Sequence, residues 1–190
     1  MTDEIVKTSD YHARRKEIEV WNLDNSVLKR GIALTPVKFG ISFTLTHLNQ
    51  AGALVHLYQD GTVRLNHGGT EMGQGLFQKV AQVAAKSFGV DLGSVKITAT
   101  DTDKVPNTSA TAASSGSDLN GMAVKLACES ICHRMSEFLA KYYQEKITNV
   151  RFAEGSVHIG KHEISFTSAV QLCYQNRISL SATGFYKTPD

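Results

Sequence analysis

Two stretches of this sequence have residue types and spacing suited to holding a ligand. The first is His67-Gly68-Gly69-Thr70-Glu71-Met72-Gly73-Gln74-Gly75, with four glycines in the eight positions from Gly68 to Gly75. Glycine lets a backbone run close to a ligand and reach positive φ. The run stands between a strand pattern and a helix pattern. The first turn of a helix offers unpaired N–H groups at the positive end of its dipole. Gln74 adds an amide that donates and accepts at once. Together these favour an anion or a polar ring. Two familiar phosphate loops do not match: no Gly-Lys-Ser/Thr closes the run, and the third glycine of G-x-G-x-x-G falls on Gln78. A tight turn with no ligand is the plainer alternative. Glu71 is the one carboxylate in either stretch. It suits a general base, or an internal partner for loop amides.

The second stretch is Asn107-Thr108-Ser109-Ala110-Thr111-Ala112-Ala113-Ser114-Ser115-Gly116-Ser117. It holds no charge and no bulky side chain. A solvated linker usually carries Lys or Glu, so this composition suits a backbone cradle against a polar ligand. A serine-rich surface loop is the alternative. Its hydroxyls lead into a long helix, with Ser117 or Asp118 as the expected cap. Cys128, Cys132 and His133 look like a metal cluster at first sight. They fall mid-helix, with 128 and 132 one turn apart and 133 pointing elsewhere, whereas structural zinc wants four converging ligands. Trp21 and the histidines at 47, 56, 158 and 162 read as packing or surface residues.

The elements that must position these loops follow from periodicity. Residues 11–22 form a short helical pattern in a charged lead-in, residues 1–25. The β-branched runs 31–37 and 41–45 are predicted strands. Residues 52–58 and 62–66 alternate around Asp60-Gly61, a hairpin signal. After the first loop, Leu76, Val80, Val83, Ala84 and Phe88 recur at helical spacing, and Gly89 is a fitting stop. Residues 95–99 read as a strand. Residues 118–144 read as a long helix with Leu119, Met122, Leu126, Ile131, Met135, Phe138, Leu139 and Tyr142 on one broad face. A second hairpin turns at Glu154-Gly155, residues 165–173 read as a short helix capped by Ser165 or Thr167, and 178–186 is a closing strand. Antiparallel strands mixed with helices predict an α+β fold, most simply a two-layer sandwich of mixed sheet and helices.

The chain has 190 residues, 42% hydrophobic and 20% charged, which suits about one globular domain. That composition excludes a disordered tail or a collagen-like rod. No run reaches the roughly 18 apolar residues that a membrane span needs. Twenty basic against eighteen acidic residues leave a net charge of +2, and no basic cluster exceeds Arg14-Arg15-Lys16. Neither nucleic acid nor a membrane is an expected partner. Three cysteines and a polar opening without an apolar h-region lead to the expectation of free thiols in a reducing cytoplasm.

Taken in order, these segments resemble a known family. The runs Lys38 to Thr44, Leu48 to Leu54, His67 to Gly75, Val105 to Ser109, Thr111 to Ser114 and Ile178 to Tyr186 resemble the molybdenum-binding subunit of xanthine dehydrogenase. The resemblance implies molybdenum held by the dithiolene of a pyranopterin, with a Mo–OH group hydroxylating hypoxanthine or xanthine. Electrons would then pass to [2Fe–2S] clusters and FAD in partner domains or subunits. It implies that Gln74 hydrogen-bonds the pterin with Gly73 and Gly75 giving clearance. Thr111, Ala112, Ala113, Ser114, Ser115, Gly116 and Ser117 would wrap the cofactor, with the Ala113 backbone against the metal centre. Phe43 would stack on the purine and Thr44 would meet its edge. The family's catalytic Glu base lies past Asp190, so no catalytic residue is expected here. The expectation is a piece of a larger subunit, inactive alone, in which residues 26–190 belong to the cofactor-binding domain and 146–190 begin a second αβ lobe. Such a piece is expected to expose an apolar face where the rest docks. Within the family, an aldehyde or another N-heterocycle is the alternative substrate. Outside it, a non-catalytic small-ligand binding module or a structural interaction domain remains open.

Overall fold

The computed structural model describes residues 1–104 and 107–189. It divides into two units, residues 1–40 and 41–190.

The first unit holds α1 (Thr2–Thr8) and α2 (Tyr11–Asp24), neither of which buries a residue. The predicted helix over 11–22 is α2; α1 was not signalled, because seven mostly polar residues carry no periodic stripe. The chain then folds back. Asn22 Nδ2 donates to the Arg30 carbonyl at 3.0 Å while Arg30 N donates to Asn22 Oδ1 at 2.8 Å. The Arg30 guanidinium lies 4.1 Å from the Trp21 ring centroid.

The expected strands over 31–37 and 41–45 do not form; neither segment has regular secondary structure. Their β-branched residues find no partner strand, Pro36 has no N–H to give a ladder, and Ser42 takes a left-handed φ of 82°.

The second unit is the predicted α+β arrangement. Its main sheet has strand order β3-β2-β1-β7, formed by β1 (Gln50–Leu57), β2 (Val63–His67), β3 (Val95–Ile97) and β7 (Ser181–Lys187). β1 is antiparallel to both β2 and β7, whereas β3 runs parallel to β2. The β1–β2 turn is closed by Asp60 Oδ1, which accepts from Thr62 N at 2.8 Å. A smaller sheet joins β4 (Val150–Ala153), β5 (Ser156–Ile159) and β6 (His162–Ser165). α5 (Phe166–Gln175) follows, with Ser165 Oγ capping Ser168 N as expected.

Two helices cover one face of the main sheet: α3 (Leu76–Phe88) and α4 (Gly116–Tyr142). Ala53, Val55, Leu65, Val80, Phe88, Ala123, Ala127 and Ile131 are fully buried between them. α4 starts two residues before the predicted position, and Ser115, not Ser117 or Asp118, is its cap residue. Its buried stripe also departs from the expected face. Ala123 and Ala127 lie inside, while Met122, Leu126 and Phe138 are half-buried and Tyr142 is exposed. The reason is close approach. A Cβ on Gly184 of β7 would sit 2.0 Å from the Ala123 carbonyl oxygen and 2.7 Å from Ala127 N. The helix backbone therefore rests directly on the strand, and only small residues fit at the contact.

Candidate functional site

The two ligand-type loops meet. Thr70 N of the first donates to Thr111 Oγ1 of the second at 2.9 Å. Between them lies an open cleft of about 390 Å³ lined by Met72, Gln74, Leu76, Lys79, Thr111, Ala112, Ser114, Gly116 and Ser117. Six of the expected cofactor residues line this one cleft. Gly73, Gly75, Ala113 and Ser115 do not line it; they shape the backbone that does.

The first loop is locked from below. His67, fully buried at the end of β2, accepts from Gly69 N at Nδ1, 3.0 Å away. Thr100 Oγ1 donates to the carbonyls of His67 and Gly69 at 3.2 and 3.1 Å. Burial pushes the His67 pKa down from 6.5 to about 4, so the ring is neutral and free to accept.

Higher in the loop, the exposed Glu71 folds back over its own loop. Its Oε1 accepts from Gly73 N at 2.9 Å and Gly75 N at 3.1 Å, and its Oε2 from Phe77 N at 2.9 Å. The Phe77 amide, followed by those of Gly73, Gly75 and Leu76, holds the Glu71 carboxyl below its ordinary value of 4.5. This settles its alternatives in favour of an internal partner for loop amides. It also corrects the expectation of an open anion site at the start of α3, because the chain's own carboxylate fills those N–H groups. Gly73 and Gly75 take φ of 98° and 75° to bring their amides round to Glu71, a conformation few other residues adopt.

Gln74 braces the same loop. Its Nε2 donates to the Thr70 carbonyl at 2.9 Å and its Oε1 accepts from Met72 N at 2.6 Å. A carboxamide has two N–H donors and two acceptor lone pairs. One of each therefore remains available toward the cleft.

The second loop is strained and then runs into α4. Ala113 and Ser114 take successive left-handed φ of 53° and 56°. For residues with a Cβ this costs roughly 1–2 kcal/mol each, and such strain gathers at ligand clamps. Ser115 Oγ donates to the Ala112 carbonyl at 3.0 Å and makes no side-chain cap to α4. The first-turn amides of α4 thus lack the internal carboxylate that closes α3. Asp118 lies in the same turn, and among the described residues Lys79 is the single charged side chain lining the cleft.

Phe43 and Thr44 do not line the cleft. Phe43 is half-buried and Thr44 exposed. Their segment is nevertheless tied to the second loop, as Ser42 N donates to the Ala113 carbonyl at 3.0 Å. Asn49, buried at 3% exposure, grips the Phe43 backbone with both ends of its amide, each at 2.8 Å. Asn49 and Lys79 are not singled out by the sequence, and His67 is marked there only as the first residue of its loop. A buried asparagine and a histidine ending a strand give no periodic signal, although Lys79 stands one helical turn after Gly75.

Val105 and Pro106, part of one resembling run, lie outside the described residues. Cys128 is buried, and burial raises its thiol pKa. Burial also raises Cys132 to about 12, and its Sγ donates to the Ser87 carbonyl at 3.6 Å. Both thiols therefore stay protonated. Among the described residues, no group of three His, Cys, Asp or Glu converges as metal ligands. No helix among them is long and apolar enough to cross a membrane.

A family model described as the molybdopterin cofactor-binding domain matches residues 4–190. The chain is 48% identical over 188 residues to a xanthine dehydrogenase/oxidase of Gallus gallus, and 49% identical over 188 residues to a xanthine dehydrogenase of Dictyostelium discoideum. Each match covers 99% of this chain and 12% of the relative, so the chain spans about an eighth of their length. Among solved structures, quinoline 2-oxidoreductase from Pseudomonas putida 86 matches with a TM-score of 0.68 at 22% identity, over 74% of this chain and 19% of that one. Aldehyde oxidoreductase from Desulfovibrio gigas matches with a TM-score of 0.53 at 18% identity, over 73% of this chain and 13% of that one. At those identities the structural matches speak for the fold alone.

Proposed function

The chain belongs to the molybdopterin cofactor-binding domain family, and from that premise we propose that its two loops form one wall of the cofactor site in a molybdenum-dependent oxidoreductase of the xanthine dehydrogenase type. The observation that carries this reading is the junction of the loops, with Thr70 N on Thr111 Oγ1 beside a single cleft.

The residues present fit such a group. The cleft's lining combines the hydroxyls of Thr111, Ser114 and Ser117, the Gln74 amide and Lys79 with the apolar Met72, Leu76 and Ala112, and among the described residues no carboxylate joins them. The uncapped start of α4 suits an anionic substituent. Gln74 keeps one donor and one acceptor for a polar ring, and the small residues from Thr111 to Ser117 let backbone come close to it. When bound, the group supplies a redox-active metal centre that removes two electrons from the substrate.

The chain's own residues then have separate tasks. Gln74 orients the pterin, with Gly73 and Gly75 leaving clearance. Thr111, Ala112, Ser114, Ser115, Gly116 and Ser117 would wrap it, with the Ala113 backbone on the side of the metal. Phe43 stacks on a flat purine such as hypoxanthine or xanthine, and Thr44 meets its edge. Stacking of that kind contributes about 1 kcal/mol beyond area burial. The general base, a Glu beyond Asp190, is supplied by polypeptide outside these residues. So are the [2Fe–2S] and FAD groups that take the electrons onward. In this reading residues 26–190 are part of a cofactor-binding domain of a cytoplasmic enzyme and are inactive by themselves.

The test uses the full-length protein made in a host that synthesises molybdopterin. Molybdenum is measured by mass spectrometry and pterin by fluorescence after oxidation. Stoichiometric cofactor is expected in the native protein, with loss of cofactor or activity on Gln74→Ala. A native protein free of molybdenum would overturn the assignment. Unchanged molybdenum content and unchanged turnover in the variant would remove Gln74 from its role.

A further inference from the structure

The main sheet has a second face, and its chemistry is one-sided. Alternation places Ala53 and Val55 against the helices, so Leu54 and His56 point the other way. The register aligns Lys96 with Arg64 and Arg64 with His56, a transverse basic row across three strands. Next to that row the face exposes two large apolar side chains, Leu54 at 42% on β1 and Phe185 at 49% on β7, with the exposed Thr183 paired to Leu54. Asn66, opposite Leu54, is buried, and among the described residues its Oδ1 finds no hydrogen-bond donor.

Three observations single this face out. Arg64 and Lys96 are cross-strand neighbours of like charge, an arrangement that destabilises a sheet. Neither has an ion pair or side-chain hydrogen bond among the described residues. No strand position on this face carries Asp or Glu. A surface with apposed carboxylates relieves the repulsion and covers Leu54 and Phe185.

We propose that this face is the seat of an apolar-centred, acidic-rimmed protein surface contributed by polypeptide outside these 190 residues. The inference rests on the chain being part of a longer polypeptide, as in relatives of which it spans 12%, and not on what the cleft binds. A second copy of this chain does not fit, because a face without carboxylates repels itself in any face-to-face pairing. Nucleic acid does not fit either, because the centre of the face is apolar and its cations are few.

The experiment is hydroxyl-radical footprinting of the full-length protein, native against unfolded. Leu54 and Phe185 are expected to be protected severalfold, to the level of the fully buried Val55 and Leu65. The double variant Arg64→Glu, Lys96→Glu is expected to abolish that protection while Val55 and Leu65 keep theirs. Arg64→Gln with Lys96→Gln is the milder arm, expected to reduce protection without disturbing the fold. Native labelling of Leu54 and Phe185 at the rate of half-exposed side chains would overturn the proposal. Protection indifferent to both charge variants would do so as well. Protection lost on dilution with a fall in mass would assign the face to a second copy, and protection seen only with added nucleic acid would assign it there.

Discussion

His67 ties acidity to the shape of the first loop, and the size of the effect follows from its burial. Its Nδ1 accepts from Gly69 N, which only an unprotonated nitrogen can do. A second proton would set an N–H against an N–H inside the core. The folded pKa of about 4 lies below the ordinary 6.5, so the unfolded chain binds more protons across that interval. Stability from neutral His67 is therefore fully present above 6.5 and is lost as pH falls toward 4. Across the whole interval the loss is about 3 kcal/mol, and between pH 7 and 5 about 2 kcal/mol. Urea denaturation followed by circular dichroism at pH 7 and pH 5 measures it. The comparison is His67→Asn, whose Oδ1 accepts like Nδ1 but does not titrate. The variant loses ring packing against Phe77 at both pH values, so its offset cancels and only the slope matters. The native chain should lose about 2 kcal/mol more than the variant between the two pH values. Equal losses would show that His67 does not bind its extra proton on unfolding and would refute the argument.

Gly184→Ala forces the new methyl from 2.0 Å to an ordinary separation from the Ala123 carbonyl, pushing α4 off the sheet. A loss of about 3 kcal/mol is expected, or roughly 6–12 °C in melting temperature. Gly93→Ala, with nothing within 4 Å, should change stability by under about 0.5 kcal/mol; equal effects at the two sites would refute the close-approach account. In the full-length protein, Phe43→Ala should lower purine turnover more than molybdenum content, whereas equal losses would make Phe43 structural. Glu71 should titrate below 4.5 by carbon-detected NMR because Phe77, Gly73 and Gly75 donate to it; a midpoint at or above 4.5 would mean those bonds are absent in solution.

How much was legible depended on whether the deciding partner was close in sequence. The hairpin at Asp60-Gly61, the helix ending at Gly89 and the cap at Ser165 were all readable, since turn and capping chemistry is local. The strands expected over 31–37 and 41–45 failed because β-branched residues only favour a strand when a partner offers a ladder. The face of α4 was misjudged for a related reason. Size-based patterning selected Met122 and Leu126, yet contact with Gly184, some sixty residues on, selects for the small Ala123 and Ala127. At the site, the glycine and serine runs were visible as runs. That one closes on Glu71 while the other opens at Ser115 was not, because both depend on where a single side chain turns.

That asymmetry between two helix starts gives the cleft its character. Both α3 and α4 begin at a small-residue loop, and both present first-turn amides. At α3, Glu71 supplies a carboxylate from within, so the first loop is a finished object whose shape does not wait for a ligand. At α4, Ser115 gives its hydroxyl to the Ala112 carbonyl, and the loop before it holds two left-handed residues. The strain falls on the side that lacks an internal partner. A ligand that draws hydrogen bonds from the start of α4 offsets that strain, while one that competes for the amides of Gly73 and Gly75 must displace a carboxylate. In the proposed cofactor site the first loop would therefore act as a template and the second as the grip. Loss of ligand should then loosen residues 111–117 before it disturbs residues 67–75, an order that hydrogen exchange on loaded and cofactor-free full-length protein would reverse if the template were the second loop.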